Sequence, residues 1–110
     1  MHAYEMAEVL AQRAAGGERW HEFLRVPSLS VGVYVLAAGD TDPQQPHSED
    51  EVYYVVSGRG HILVADERRP VGPGSIVYVD RHVEHRFFDI TEELTILVFF
   101  APAERSLAAG

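Results

Sequence analysis

The segment Gln45-Pro46-His47-Ser48-Glu49-Asp50-Glu51 places an amide, an imidazole and a carboxylate, all electron-pair donors, just ahead of an apolar run that begins at Val52. Side chains two apart on an extended chain share a face, so Gln45 and His47, roughly 6.6 Å apart along it, can reach one ion. Glu51 would stand roughly 13 Å from His47 on a straight strand, so residues 48–50 must loop or bulge if both are to hold the same ion. A helix would also align His47 with Glu51, but the β-branched and aromatic residues that follow argue against it. By itself, a histidine four residues before a glutamate in an acidic loop is commonplace. Ser48 beside His47 suggests a nucleophile and its base, yet no strand-turn-helix elbow or oxyanion-hole sequence accompanies the pair, which sets a serine hydrolase aside.

Composition narrows the chemistry further. The chain has no cysteine and no lysine, which excludes disulfides, iron–sulfur clusters, thiolate zinc sites, thiol nucleophiles, Schiff bases and the P-loop lysine. Six histidines, the carboxylates and a metal ion remain. Seventeen acids against nine arginines give a formal charge of -8, which repels phosphate backbones and anionic headgroups, so neither nucleic acid nor a membrane surface is an expected partner. The apolar stretch 94–101 is far short of the roughly 20 residues that cross a bilayer. Glu5 and Glu8 stand where a signal peptide would have a basic start and an unbroken apolar centre, so a cytoplasmic location is expected.

The elements that must position these donors are mostly strands. With 110 residues, 46 % of them hydrophobic and 24 % charged, the chain fits one domain, 1–110, with its own core. Residues 4–15 carry Met6, Val9 and Leu10 on one helical face and stop at Gly16-Gly17, giving a helical segment within 1–17. From Trp20 onward, Val, Ile, Phe and Tyr runs separated by Gly, Pro, Asp and Ser clusters predict strands at 20–26, 29–37, 51–56, 61–65, 75–79, 85–88 and 94–100. Ser57-Gly58-Arg59-Gly60 reads as a tight hairpin turn, and Pro70-Val71-Gly72-Pro73-Gly74 as another turn. Short strands at this spacing mean a sandwich or barrel, here spanning 20–102. Residues 103–110 are expected to fray as a flexible tail. The runs 31–36 and 96–100 are apolar at nearly every position, so both their faces should be buried. One helix cannot cover that area, and a homodimer is the expected solution.

Two spacings in this strand series resemble the two motifs of a small single-domain cupin. Gly39, then Gln45-Pro46-His47, Glu51 and Gly58 follow the first motif, with Gln45 where the family has its first histidine. Gly74, Asp80, His82, His85 and Asp89 follow the second, with Asp80 for Pro, His82 for Gly and Asp89 for Asn. The resemblance covers about 31–102. It implies an all-β fold, a jelly-roll (double-stranded β-helix) barrel with a short N-terminal helix, and a divalent transition metal ion (Fe, Mn, Ni, Co or Zn) held by His47, Glu51 and His85. Two histidines and one carboxylate with open positions are the facial set of non-haem iron oxygenases, and other first-row ions fit similar ligands. Gln45 is either a weak fourth ligand through its amide oxygen or a hydrogen-bond donor to something bound.

By the same resemblance the protein is a metal-dependent enzyme acting on a small polar molecule, with dioxygenase chemistry first and lyase, isomerase or cyclase activity next. A non-catalytic small-ligand-binding or sensing module is the alternative, and a purely structural barrel without metal is a third. Candidates for catalysis are Tyr53, His82 and Glu84. Tyr53 and Val55 share the parity of Glu51 and face the interior, as pocket wall or plain core, whereas Tyr54 faces outward. His82 sits in a turn where histidine tolerates positive φ, which favours a conformational role. Glu84 and Asp89 flank His85 and are either carboxylates that orient its ring or exposed loop acids. His2, His21 and His61 stand apart from the cluster.

Overall fold

A computed structural model describes residues 1–43 and 46–107; Gln44, Gln45 and residues 108–110 lie outside the described residues, and the expectation for Gln45 with them. Helix α1, Met6–Gly16, ends where Gly17 turns left-handed (φ 76°) and its N–H donates to the carbonyls of Arg13 and Ala14. Among the described residues six strands follow: β1 Trp20–Val26, β2 Leu29–Leu36, β3 Asp50–Val64, β4 Glu67–Val71, β5 Ile76–Val79 and β6 His85–Ala101. All strand pairing is antiparallel in the order β1-β2-β6-β3-β4, with β5 paired to β3. Among the described residues no helix is long and apolar enough to cross a membrane.

Two long strands make the barrel. β3 and β6 pair from Asp50↔Ala101 to Val64↔His85, with register shifts between Val55 and His61. The expected hairpin at Ser57–Gly60 is therefore absent: the expected strands 51–56 and 61–65 are one bulged strand, and so are 85–88 and 94–100. Gly58 explains why a turn-like sequence lies inside a strand. Its φ is 94°, and a Cβ there would lie 2.0 Å from the Glu93 carbonyl oxygen, so the partner backbone crosses in contact with it. Bulges bend and twist a ribbon, and Asp89 at φ 46° bends the opposite strand. The bent ribbon is flanked by β5 along the first half of β3 (Glu51↔Val79 to Tyr54↔Ile76) and by β4 along the second (Gly60↔Val71 to Val64↔Glu67).

β4 was not expected, because Glu67-Arg68-Arg69-Pro70 shows no apolar alternation. It is an exposed edge strand, where charge and proline are tolerated. The actual hairpin turn is Ala65-Asp66, with Ala65 at φ 53°.

The barrel interior is filled by Tyr34, Leu36, Tyr53, Val55, Ile62, Phe87, Leu94, Ile96 and Phe100, among others. On the alternate face of β2, Val31, Val33 and Val35 are also buried, and α1 packs against β1 and β2 with Val9 as its buried residue. The two-sided apolar pattern of β2 thus has its helix cover. Gly32 lets Trp20 cross β2, since a Cβ there would lie 2.3 Å from the indole ring.

The fraying expected of the C-terminal segment gives way over 103–107. Ala103 is buried, and the N–H groups of Glu104, Arg105 and Leu107 donate to Ser30 Oγ (2.8 Å), Glu49 Oε1 (2.6 Å) and Glu49 Oε2 (2.8 Å).

Candidate metal centre

Glu51 and His85 sit near opposite ends of the β3–β6 ribbon, Glu51 opposite Phe100 and His85 opposite Val64. Because the ribbon bends back on itself, Glu51 Oε1 nevertheless lies 2.8 Å from His85 Nε2. His47 reaches the same carboxylate oxygen from the loop before β3, with Nδ1 at 3.2 Å. That loop is held by the His82 N–H, which donates to the His47 carbonyl at 2.7 Å. Ser48 and Glu49 form the bend that the straight-strand distance required, so all three ligand atoms fall within 4.8 Å of one another.

Whether these residues fit a metal ion is decided by their lone pairs. The side chains of Glu51 and His85 are each 1 % exposed. Both Glu51 oxygens, His85 Nε2 and His47 Nδ1 are buried without a hydrogen-bond partner among the described residues. Buried polar atoms left in that state are costly, yet here several converge on one point. Ligands about 2.1 Å from a first-row ion and at right angles to one another stand about 3.0 Å apart, which matches the two N–O separations. The His85 ring is oriented for the role: its Nδ1–H donates to the Val83 carbonyl at 2.8 Å, which leaves the Nε2 lone pair facing Glu51. The residues fit.

Without an ion, protons take its place. Burial alone would lower the His47 pKa, but Glu104 and Glu51 outweigh it and push the imidazole up to about 9. Burial opposes the charged form of His85 too, and Glu51 again reverses the effect, raising it. Burial would raise Glu51, but His47 and His85 hold its carboxyl below the usual range. The cluster is thus a buried carboxylate that gathers positive charge, from protons or from a cation.

Beside His47 opens a cavity of about 140 Å³ lined by Trp20, Tyr34, Pro43, Val98, Phe100 and Glu104. Its aromatic walls are braced edge to face, with Trp20 at 6.0 Å from Phe100 and 6.4 Å from Tyr34. Tyr34 donates its hydroxyl to Asp42 at 2.6 Å, and burial, followed by that carboxylate, pushes its pKa far up, so the phenol keeps its proton. Asp42 also accepts the Phe87 N–H at 2.9 Å.

The other sequence candidates separate. Tyr53 is fully buried, its ring 5.9 Å from that of His85 and 5.0 Å from Phe87, beneath the cluster. His82 is exposed in a turn at φ 62°, and its backbone, not its ring, serves the site. Glu84 is exposed and lines a separate, more polar cavity with His85 and Arg86. Asp89 is exposed; the Val83 carbonyl, not a carboxylate, orients His85. Sequence reasoning missed Glu104, whose Oε2 lies 3.4 Å from His47 Nε2, and the buried Glu49 and Asp42. No spacing links residue 104 to residue 47, so no local signal could have found it.

Known proteins agree with this architecture. An uncharacterized protein of Streptomyces coelicolor is 49 % identical over 104 residues, covering 94 % of this chain and 99 % of that one. Among solved structures, KdgF from Halomonas sp. superposes with a TM-score of 0.68 at 18 % identity, over 79 % of this chain and 88 % of that one. An RmlC-like cupin with a double-stranded β-helix fold from Methanocaldococcus jannaschii gives 0.68 at 20 % identity, over 76 % and 78 %. The DMSP lyase DddQ from Ruegeria pomeroyi gives 0.68 at 22 %, over 80 % of this chain and 49 % of that one. At these identities the solved structures speak for the fold alone. A family model described as the cupin domain matches residues 32–100, the stretch that builds the bent ribbon and carries His47, Glu51 and His85, and the chain belongs to the cupin family.

Proposed function

We propose that the protein is a metal-dependent cupin enzyme acting on a small molecule. The observation that carries the reading is the convergence of buried lone pairs from His47, Glu51 and His85 with no hydrogen-bond partner among the described residues. A divalent first-row ion held there would supply Lewis-acid polarisation or activation of O2. The chain's own contributions follow from its residues. Val83 sets the His85 tautomer, Glu51 supplies the single negative charge among the three ligands, and Tyr53 and Phe87 form a dry floor. Trp20, Tyr34, Val98 and Phe100 give the substrate an apolar wall and exclude water, while His47 and Glu104 form the polar end of the cavity.

At about 140 Å³ that cavity is below the roughly 300–1,000 Å³ of pockets for drug-sized ligands, so the part of the substrate seated in it has few heavy atoms. Its chemistry is a polar head toward His47 and a small apolar body. Dioxygenase and lyase reactions both suit such a site, and the lyase name of the Ruegeria relative supports the second by analogy of fold. The Gln45 departure favours one other reading, a barrel that binds or senses the same small ligand without converting it.

Protein loaded in turn with Fe(II), Mn(II), Co(II), Ni(II) and Zn(II) should convert at least one member of a panel of small hydroxy, keto and thioether acids and phenols. O2 consumption and mass spectrometry are the readouts. Conversion abolished by Glu51→Gln supports an enzyme; saturable ligand binding with no product for any metal overturns it in favour of the sensing module.

A further inference from the structure

Residues 103–107 leave β6 as a strap held at each backbone N–H. Ala103 N donates to Pro27 O, Glu104 N to Ser30 Oγ, and Arg25 Nη2 donates to the Glu104 carbonyl at 2.7 Å. The two oxygens of Glu49 take the N–H groups of Arg105 and Leu107, one each. Glu49 is 1 % exposed, and a buried carboxylate is tolerated only when such donors satisfy it. Arg105 adopts a positive φ of 66° to make the arrangement possible, a conformation that is unfavourable for a non-glycine residue and persists only where surroundings hold it. Two unfavourable features, a buried acid and a strained residue, thus serve to fix one short segment. From that segment Glu104, its side chain 15 % exposed, reaches the metal cluster with Oε2 at 3.4 Å from His47 Nε2.

We propose that Glu104 is a positioning residue for the metal centre: clamped in place by Glu49, its carboxylate holds the His47 imidazole with Nε2 outward and Nδ1 turned inward toward Glu51. The inference rests on the metal reading above and adds to it a C-terminal strap that sets ligand geometry. Charge supports the assignment. Two neutral imidazoles, one carboxylate and a divalent ion leave a net charge of +1 in a site whose Glu51 and His85 are almost fully buried. The Glu104 carboxylate on the far side of the His47 ring cancels it. A carboxylate behind a ligating imidazole also fixes its tautomer and raises its basicity.

The test uses full-length protein and zinc, a diamagnetic probe that permits nitrogen-15 spectra of the imidazole rings. In wild type, His47 should bind zinc through Nδ1 and keep its proton on Nε2. At pH 9.5, where protons no longer compete for His47 in wild type, Glu104→Ala should weaken zinc binding about 10- to 100-fold and let the His47 ring exchange between nitrogens, with the His85 signals unchanged. Glu104→Gln, whose amide oxygen still accepts from Nε2–H, should keep Nδ1 coordination and lose less affinity. Glu49→Ala, which leaves Glu104 chemically intact but releases the strap, should match Glu104→Ala, and the double variant should be no weaker than either single one. If Glu49→Ala fails to fold, the two Glu104 variants decide alone. Unchanged zinc affinity and unchanged Nδ1 coordination in Glu104→Ala overturn the positioning role while leaving the metal site standing. Wild-type protein that takes up no zinc overturns the metal reading itself.

Discussion

Raising the pH should strengthen metal binding across a range where isolated histidines no longer titrate. From the sequence alone, competition by protons is expected near the ordinary histidine pKa of about 6.5, with binding lost toward pH 5. The structure moves that window upward, because His47 lies between Glu51 and Glu104 and its pKa is pushed up to about 9. At pH 7 about 1 % of His47 is then neutral in the metal-free protein, so affinity should rise nearly tenfold per pH unit up to about pH 8, about 50-fold between pH 7 and 9, and level off above. His85 is raised as well and adds to the slope with the same sign. Stability of the metal-free protein should move the other way. A histidine whose pKa is higher folded than unfolded contributes stability that is complete below pH 6.5 and lost as pH climbs through 9, so metal-free protein should melt at a lower temperature at pH 9.5 than at pH 6. Cobalt(II) titrations with a competing chelator from pH 6 to 9.5, paired with thermal melts of metal-free protein, read both trends. Affinity that is flat between pH 7 and 9 would refute the reasoning, because His47 would then not be trading a proton for the metal.

Three further outcomes follow. Gly58→Ala places a Cβ 2.0 Å from the Glu93 carbonyl at φ 94° and should cost at least about 1–3 kcal/mol, seen as a melting temperature lower by about 5 °C or more. Gln45→Ala should keep the ion and Gln45→His should bind it more tightly, since an imidazole donates better than an amide to a first-row metal; isothermal titration of both variants checks this. The outward faces of β3 and β5 expose Tyr54, Ile76 and Tyr78, and sedimentation should find a dimer that Ile76→Asp with Tyr78→Asp splits into monomers, a wild-type monomer at micromolar concentration being the contrary result.

The site was legible where chemistry repeats at short range. His47, Glu51 and His85 were readable only through the resemblance to the two cupin motifs, and the strands around them because apolar runs alternate with turn residues. The path of the ribbon was not. Ser57-Gly58-Arg59-Gly60 has the composition of a hairpin turn, and only the crossing of Glu93 over Gly58 makes it a bulge in an unbroken strand. β4 escaped notice because an edge strand with one solvated face needs no apolar pattern, as Glu67-Arg68-Arg69-Pro70 shows. Glu49 and Glu104 look like ordinary surface acids in the sequence. Their roles come from contacts 56 and 57 residues away in the chain, Glu49 to Arg105 and His47 to Glu104, which no local pattern encodes.

The central claim is that His47, Glu51 and His85 hold one divalent ion. Elemental analysis of untagged protein, purified without chelators and re-equilibrated with a first-row metal, tests it most directly. The account predicts about one ion per chain in wild type and almost none in His85→Ala and Glu51→Gln, with all three proteins folded by their thermal melts. Metal-free wild type under these conditions, or full metal content in either variant, would contradict it.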